Sequence, residues 1–103
     1  MTPELVTQEI QSALHEVFDP ETGVNLVDLG LIYGVGWEAE SGEAEVRMTF
    51  TTPACPAGEV MTDGVERRVA LVPGVRSVRV EVGFEPRWTP DRITEEGRRA
   101  LGW

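Results

Sequence analysis

The chain has no lysine and a single cysteine, Cys55. Its nine basic residues are all arginine, set against eighteen acids, for a formal net charge of −9. A surface of that sign repels phosphate backbones, so nucleic acid is excluded as the expected partner. Without lysine there is no Walker A loop, and nucleotide hydrolysis by that route is excluded too. The amino terminus lacks a cationic segment followed by an apolar one, so no secretory leader is expected. No apolar run approaches the roughly 20 residues of a membrane-spanning helix. One unpaired thiol suits a reducing compartment, so the expected location is the cytoplasm. A length of 103 residues fits a single domain spanning residues 1–103.

The thiol sits in Thr51-Thr52-Pro53-Ala54-Cys55-Pro56-Ala57-Gly58, where a strand pattern stops and a helix pattern starts. Two prolines bracket it and stiffen the backbone. Pro56 suits the first helical position, which makes Cys55 the expected N-cap. A thiol facing the positive end of a helix has its pKa lowered and becomes a better nucleophile or ligand. The plainer alternative is a small buried hydrophobe, as most free cysteines are.

The rest of the chain reads in order as helix, strand, strand, helix, strand, helix. Thr2-Pro3-Glu4 opens the first helix, whose stripe is Val6, Ile10, Ala13, Leu14 and Val17. His15 lies off that stripe and reads as a solvated helix residue rather than a ligand or base. The helix is expected to run to about Phe18, because Asp19 precedes Pro20. Asp19 is then an acid at a helix carboxyl end, slightly costly against the dipole.

Leu31, Tyr33, Val35 and Trp37 alternate as one strand, and Ala44, Val46, Met48 and Phe50 as the next. With Ser41-Gly42 as a two-residue hairpin loop, the expected partners are Trp37 with Val46, Val35 with Met48, and Tyr33 with Phe50. The second helix runs from Pro56 along Ala57, Met61, Val65, Val69 and Val72 to the stop at Pro73-Gly74. Gly64 lies near its buried side, where it either allows close helix–sheet approach or merely weakens the helix. Val78, Val80, Val82 and Phe84 alternate in a third strand. Thr89-Pro90-Asp91 opens a last helix toward Leu101.

Strand two, helix two and strand three make a right-handed crossover with parallel strands. The expected fold is therefore an α/β domain of the two-layer α+β type, with a three-stranded mixed sheet and helices on one face. Parallel strands end at the same edge, which gathers Thr51, Thr52 and Cys55 with Trp88 and, from the start of strand one, Asp28. Helix one ends nearby, which adds Asp19 and Glu21. Chance clustering of loop residues is the competing account. The stiffened thiol at the centre favours a functional rim.

These same residues resemble the SufT/PaaD-like family of iron–sulfur cluster assembly domains, also found ahead of Mrp-type cluster-carrier ATPases. The matching segments are Asp19-Pro20-Glu21, Val27-Asp28-Leu29-Gly30-Leu31-Ile32-Tyr33, Thr51-Thr52-Pro53-Ala54-Cys55-Pro56, Pro73-Gly74-Val75, Pro86-Arg87-Trp88 and Arg99-Ala100-Leu101-Gly102. They span nearly the whole chain in order, and the combination is fairly specific. PaaD-type members carry a further cysteine-rich tail, whereas this chain stops at Trp103. Mrp-type members carry an ATPase domain that is lacking here, so the stand-alone SufT-like form is the nearest match.

The resemblance implies a non-enzymatic role in making or delivering iron–sulfur clusters. It implies Cys55 as cluster or metal ligand, Asp19 as its companion, and a transient cluster as cargo, with no nucleotide. The implied partners are assembly scaffolds or carriers and client apoproteins. One thiolate cannot fill a cluster's usual coordination, so a homodimer sharing a cluster, a partner's cysteines or a small thiol must complete it. One Cys and a distant His disfavour zinc.

Two other functions remain open. A cysteine-nucleophile enzyme needs a base beside the thiol, and only an acid such as Asp19 is at hand. A pure interaction module would keep Cys55 inert and use the polar sheet face of Glu45, Arg47, Arg79 and Glu81.

Overall fold

The computed structural model describes residues 2–52 and 56–103. Cys55, with Pro53 and Ala54, lies outside the described residues.

Helix α1 spans Pro3–Leu14. Thr2 is its N-cap, with Oγ1 accepting from the Leu5 N–H at 3.2 Å, and Pro3 fills the first turn as expected. The helix stops a turn earlier than Phe18. The N–H groups of His15, Glu16 and Val17 donate three residues back, tightening the end. Residues 17–19 then pair with residues 24–26. Asp19 N–H donates to Val24 O at 2.9 Å, Leu26 N–H to Val17 O at 2.9 Å, and Phe18 bridges Asn25. Val17 stays buried as expected, but as part of this pairing rather than of a helix. Asp19 is thus no helix-end acid, and the unfavourable dipole expected for it does not apply. His15 is exposed, with Nδ1 2.9 Å from Gln11 O.

The sheet has order β1-β2-β3, with β1 Ile32–Trp37, β2 Glu43–Met48 and β3 Ser77–Val82. β1 and β2 are antiparallel and β2 and β3 parallel, as the crossover argument requires. The hairpin register differs from the expected one. Trp37 faces Ala44 and Val35 faces Val46. The cause is a longer connection, Ala39–Gly42. It is closed by Glu38 N–H to Glu43 O at 2.9 Å and Gly42 N–H to Glu38 O at 2.8 Å, with Gly42 at φ 73°. A bulge between Ile32 and Gly34 then puts Ile32, not Tyr33, opposite Met48. Tyr33 is the extra residue. Its hydroxyl donates to Pro86 O at 2.7 Å and the Arg92 guanidinium stacks 4.8 Å from its ring centroid.

Helix α2 spans Gly58–Val69, so it begins after Pro56 rather than at it. Ala57 is the N-cap and makes no side-chain cap, which removes Cys55 from that position. Among the described residues the first helical bond is Met61 N–H to Ala57 O at 3.0 Å. Gly58 passes beneath Phe50, whose Cε2 lies 2.9 Å from where a Cβ would stand. Ala57, Met61, Val65, Val69 and Val72 are buried as their spacing requires. Gly64 faces Val17, on the segment after α1, rather than the sheet.

The last helix also starts later than expected. Pro90–Arg92 is a short 3₁₀ turn, and α3 spans Glu95–Leu101 with Thr94 as N-cap. Helices α1 and α2 pack on each other and cover one sheet face, α1 against β1 and α2 against β3. The core between them joins Val6, Ile10 and Leu14 with Val46, Met48, Met61 and Val65. The three helices and mixed three-stranded sheet make the α+β fold read from the sequence. No described helix is long and apolar enough to cross a membrane.

Candidate functional site

Asp19 is 6% exposed, and its carboxylate is turned inward on its own loop. Oδ1 accepts from Glu21 N–H at 2.9 Å and Oδ2 from the Thr22 hydroxyl at 3.4 Å. Its carbonyl accepts from Gly23 N–H at 2.8 Å, where φ is 73°. This is an Asx turn, built because a short carboxylate reaches the N–H two residues on. The Glu21 side chain is left exposed.

Asp28 sits in a second turn, joined to the first through the Phe18–Asn25 bridge. Asn25 Nδ2 donates to Asp28 Oδ2 at 2.7 Å, and Asp28 N–H donates to Asn25 Oδ1 at 2.9 Å. The Thr94 hydroxyl donates to Asp28 Oδ1 at 2.8 Å. Next along, the Trp88 indole N–H donates to Leu29 O at 2.8 Å. A Cβ at Gly30, whose φ is 74°, would fall on the Arg92 backbone. Asp28 and Trp88 therefore hold one loop in place, and both side chains are half-buried.

Thr51 meets Trp88 in a hollow of about 260 Å³, which Phe50, Phe84, Glu85 and Arg87 complete. Phe50 and Phe84 form its apolar side, edge to face with centroids 6.2 Å apart. Thr52 is exposed. Thr51 and Trp88 share this hollow, and Trp88 also reaches the Asp28 loop. No hydrogen bond among the described residues links Asp19 to Thr51, Thr52 or Trp88. Among the described residues no three His, Asp or Glu side chains gather closely enough to hold a metal ion.

Beside the Asp19 turn lies an apolar groove of about 320 Å³ between the end of α1 and α2. Phe18 is 54% exposed, Val60 61% and Leu71 73%. Arg67 and an Arg68–Glu16 ion pair at 2.6 Å rim it. Phe18, Val60 and Leu71 are three large, exposed apolar side chains on one concave surface.

The sequence reading missed Asn25, Thr94 and this groove. Asn25 stands three residues before Asp28, a spacing at which side-chain and backbone hydrogen bonds are reciprocal. Thr94-Glu95-Glu96 is as clear a helix-start signal as Thr89-Pro90-Asp91. The groove is not visible from periodicity, because its residues come from two segments.

Together these features define a small α+β domain in which the loops carrying Asp28, Thr51 and Trp88 meet at one end of a short mixed sheet. The sequence model of an iron–sulfur cluster assembly protein family matches residues 7–82, and the chain belongs to that family. It is 42% identical over 96 residues to an Fe-S protein maturation auxiliary factor of Porphyromonas gingivalis, covering 93% of this chain and 90% of that protein. It is 37% identical over 86 residues to the Fe-S protein maturation auxiliary factor SufT of Staphylococcus aureus, covering 84% and 97%. The crystal structure of a domain of unknown function, DUF59, from Bacillus anthracis superimposes with a TM-score of 0.91 at 33% identity, over 97% of this chain and 94% of that one. An accessory role in iron–sulfur assembly follows from these relatives.

Proposed function

We propose that residues 1–103 act as one unit, in the cytoplasm, to help assemble or deliver iron–sulfur clusters through the thiol of Cys55. The family match over residues 7–82 carries this reading, because it spans the cysteine-bearing segment between β2 and α2. The cluster is cargo. Cys55 offers one thiolate, so the remaining coordination comes from a partner protein, a small thiol or a second copy. Asp19, Glu21, Asp28, Thr51, Thr52 and Trp88 serve as the supporting rim. In this role Asp28 and Trp88 fix the loops, and Thr51 and Thr52 lead into the thiol. Nothing in this scheme asks the domain to catalyse a reaction itself.

The Phe18–Val60–Leu71 groove favours a second element, docking of an assembly scaffold or carrier beside the Asp19 turn. If docking alone were the function, the thiol would be dispensable. Anaerobic reconstitution with iron and sulfide, followed by absorption spectroscopy and sizing, tests the cargo. Charge-transfer bands that vanish in Cys55→Ala support it. A colourless protein, with and without added small thiol, leaves docking as the function.

A further inference from the structure

Among the described residues β3 has one strand neighbour, β2, and no strand pairs with its other edge. Gly83 N–H donates inward to Met48 O at 3.0 Å. In a parallel ladder alternate residues bond the same neighbour, so the backbone groups of Val78, Val80 and Val82 point away from β2. Among the described residues no backbone partner outside the sheet reaches them. Edge strands are normally blunted by proline, lysine, a bulge or a cover. The opposite edge has such a device, the Tyr33 bulge beside Gly34 and Gly36. Among the described residues β3 carries no proline, lysine, bulge or cover, and its two charged side chains, Arg79 and Glu81, are of opposite sign.

The β3 sequence is symmetric in character about its centre: Val78-Arg79-Val80-Glu81-Val82. Turned antiparallel on itself about Val80, it sets Arg79 opposite Glu81 and Val78 opposite Val82. Moving the centre to Arg79 or to Glu81 would instead put like charges face to face. Only the Val80 register gives opposite charges on one face and valines on the other. It also uses the outward-pointing backbone groups of Val78, Val80 and Val82 as hydrogen-bonded pairs.

The side chains are ready for this arrangement. Val82 is 37% exposed and would be covered by Val78 of the second copy. Glu81 has no ion-pair partner among the described residues. Arg79 pairs with Glu45 and lies 3.8 Å from Glu43, which leaves guanidinium donors for another carboxylate.

We propose that the β3 edge is a homodimer interface, in which Ser77–Val82 pairs antiparallel with the same strand of a second copy, centred on Val80. The two sheets then run on as one. The β2 and β3 carboxyl ends point opposite ways in the two copies, so the Thr51 rims stand apart. The proposed dimer therefore does not join the two rims. It does not depend on whether the domain carries a cluster.

Sedimentation of the full chain over a range of concentrations, without iron or reductant, tests the interface. The mass should rise from monomer to dimer. Arg79→Glu alone and Glu81→Arg alone should each weaken dimerisation roughly tenfold or more, since each replaces two opposite-charge pairs by like-charge pairs. An equimolar mixture of the two variants should dimerise as the parent does, because every cross-strand pair is again opposite in charge. Recovery in the mixture also shows that both variants are folded. The amide protons of Val78, Val80 and Val82 should exchange more slowly as concentration rises. A monomer at every concentration overturns the proposal. So does a dimer that the single variants leave unchanged, or a mixture that fails to recover.

Discussion

Thr94 and Asp28 stand 66 residues apart and are joined by two hydrogen bonds. The Thr94 hydroxyl donates to Asp28 Oδ1 at 2.8 Å, and the Thr94 N–H donates to the Asp28 carbonyl at 2.8 Å. The same hydroxyl accepts from Gly97 N–H at 3.1 Å, which caps α3. Asp28 accepts the hydroxyl's hydrogen bond, which leaves an oxygen lone pair of Thr94 for the helix N–H. One carboxylate thereby fixes both the loop before β1 and the start of the last helix.

Asp28→Ala should cost about 2–3 kcal/mol, because it strips partners from Asn25 and Thr94 in a half-buried site. Thr94→Val should cost about 1–2 kcal/mol, the usual range for a lost N-cap with one further bond. Urea unfolding with an unchanged slope checks both. A loss under about 0.5 kcal/mol for Asp28→Ala would show that water replaces these partners freely.

Two helical glycines, Gly97 and Gly64, should respond differently to alanine. At Gly97 a Cβ would stand 2.7 Å from Asp28 O and 2.8 Å from Ile93 Cγ2. The backbone oxygen cannot give way, so the clash outweighs the roughly 1 kcal/mol that alanine gains in a helix. Gly97→Ala should be destabilising by about 1–3 kcal/mol. At Gly64 the neighbour is only Val17 Cγ1 at 3.1 Å, a side chain able to shift. Gly64→Ala should stay within about 1 kcal/mol of the parent, on either side. Thermal melts of the pair in one buffer decide the point, and equal effects would contradict it.

The parts of the fold set by period were legible, and the parts set by termination were not. The stripes Val6–Ile10–Leu14 and Met61–Val65–Val69 and the alternation Ala44–Val46–Met48 identify their buried faces without any structure. Helix and strand ends depend on the bonding of the residues beyond them. The end of α1 was decided by pairing of Val17–Asp19 with Val24–Leu26, which no pattern within the helix announces. The hairpin register turned on whether Gly42 ends a short loop or a longer one, and both place a glycine there. The bulge at Tyr33 was hidden because Leu31, Tyr33, Val35 and Trp37 alternate perfectly on paper. At the site, topology correctly brought Asp28, Thr51 and Trp88 to one end of the sheet. It could not say that the Asp19 carboxylate turns in on its own backbone.

Asp19 separates a structural acid from a functional one. Asp19→Asn keeps an oxygen for the Glu21 N–H and should cost under about 1 kcal/mol. Asp19→Ala loses that acceptor in a buried turn and should cost about 1–2 kcal/mol. Complementation of iron–sulfur enzyme activity in cells lacking this protein should fall for both variants if the charge serves the thiol. Full complementation by Asp19→Asn would assign Asp19 to the turn alone.

Cys55→Ala should leave the fold intact and remove the function. Among the described residues Ala57 is the N-cap of α2, and Met61 N–H donates to its carbonyl. Cys and Ala are both small, so the change should cost no more than about 1–2 kcal/mol, well short of a large core truncation. The Met61–Val65–Val69 stripe still anchors α2 on the core, so circular dichroism should barely change. Function should respond out of proportion, because the chain has no other thiol to bind or pass on iron and sulfide. Cys55→Ser keeps the shape and removes the soft ligand, and it should fail alongside the alanine variant. The measurement is complementation of iron–sulfur enzyme activity, read beside a thermal melt of each variant. If both variants melt near the parent and neither complements, the thiol is the working group. If either complements fully, the thiol is idle and the Phe18–Val60–Leu71 groove becomes the part to mutate next. If complementation falls only as far as the melting temperature does, Cys55 is a packing residue.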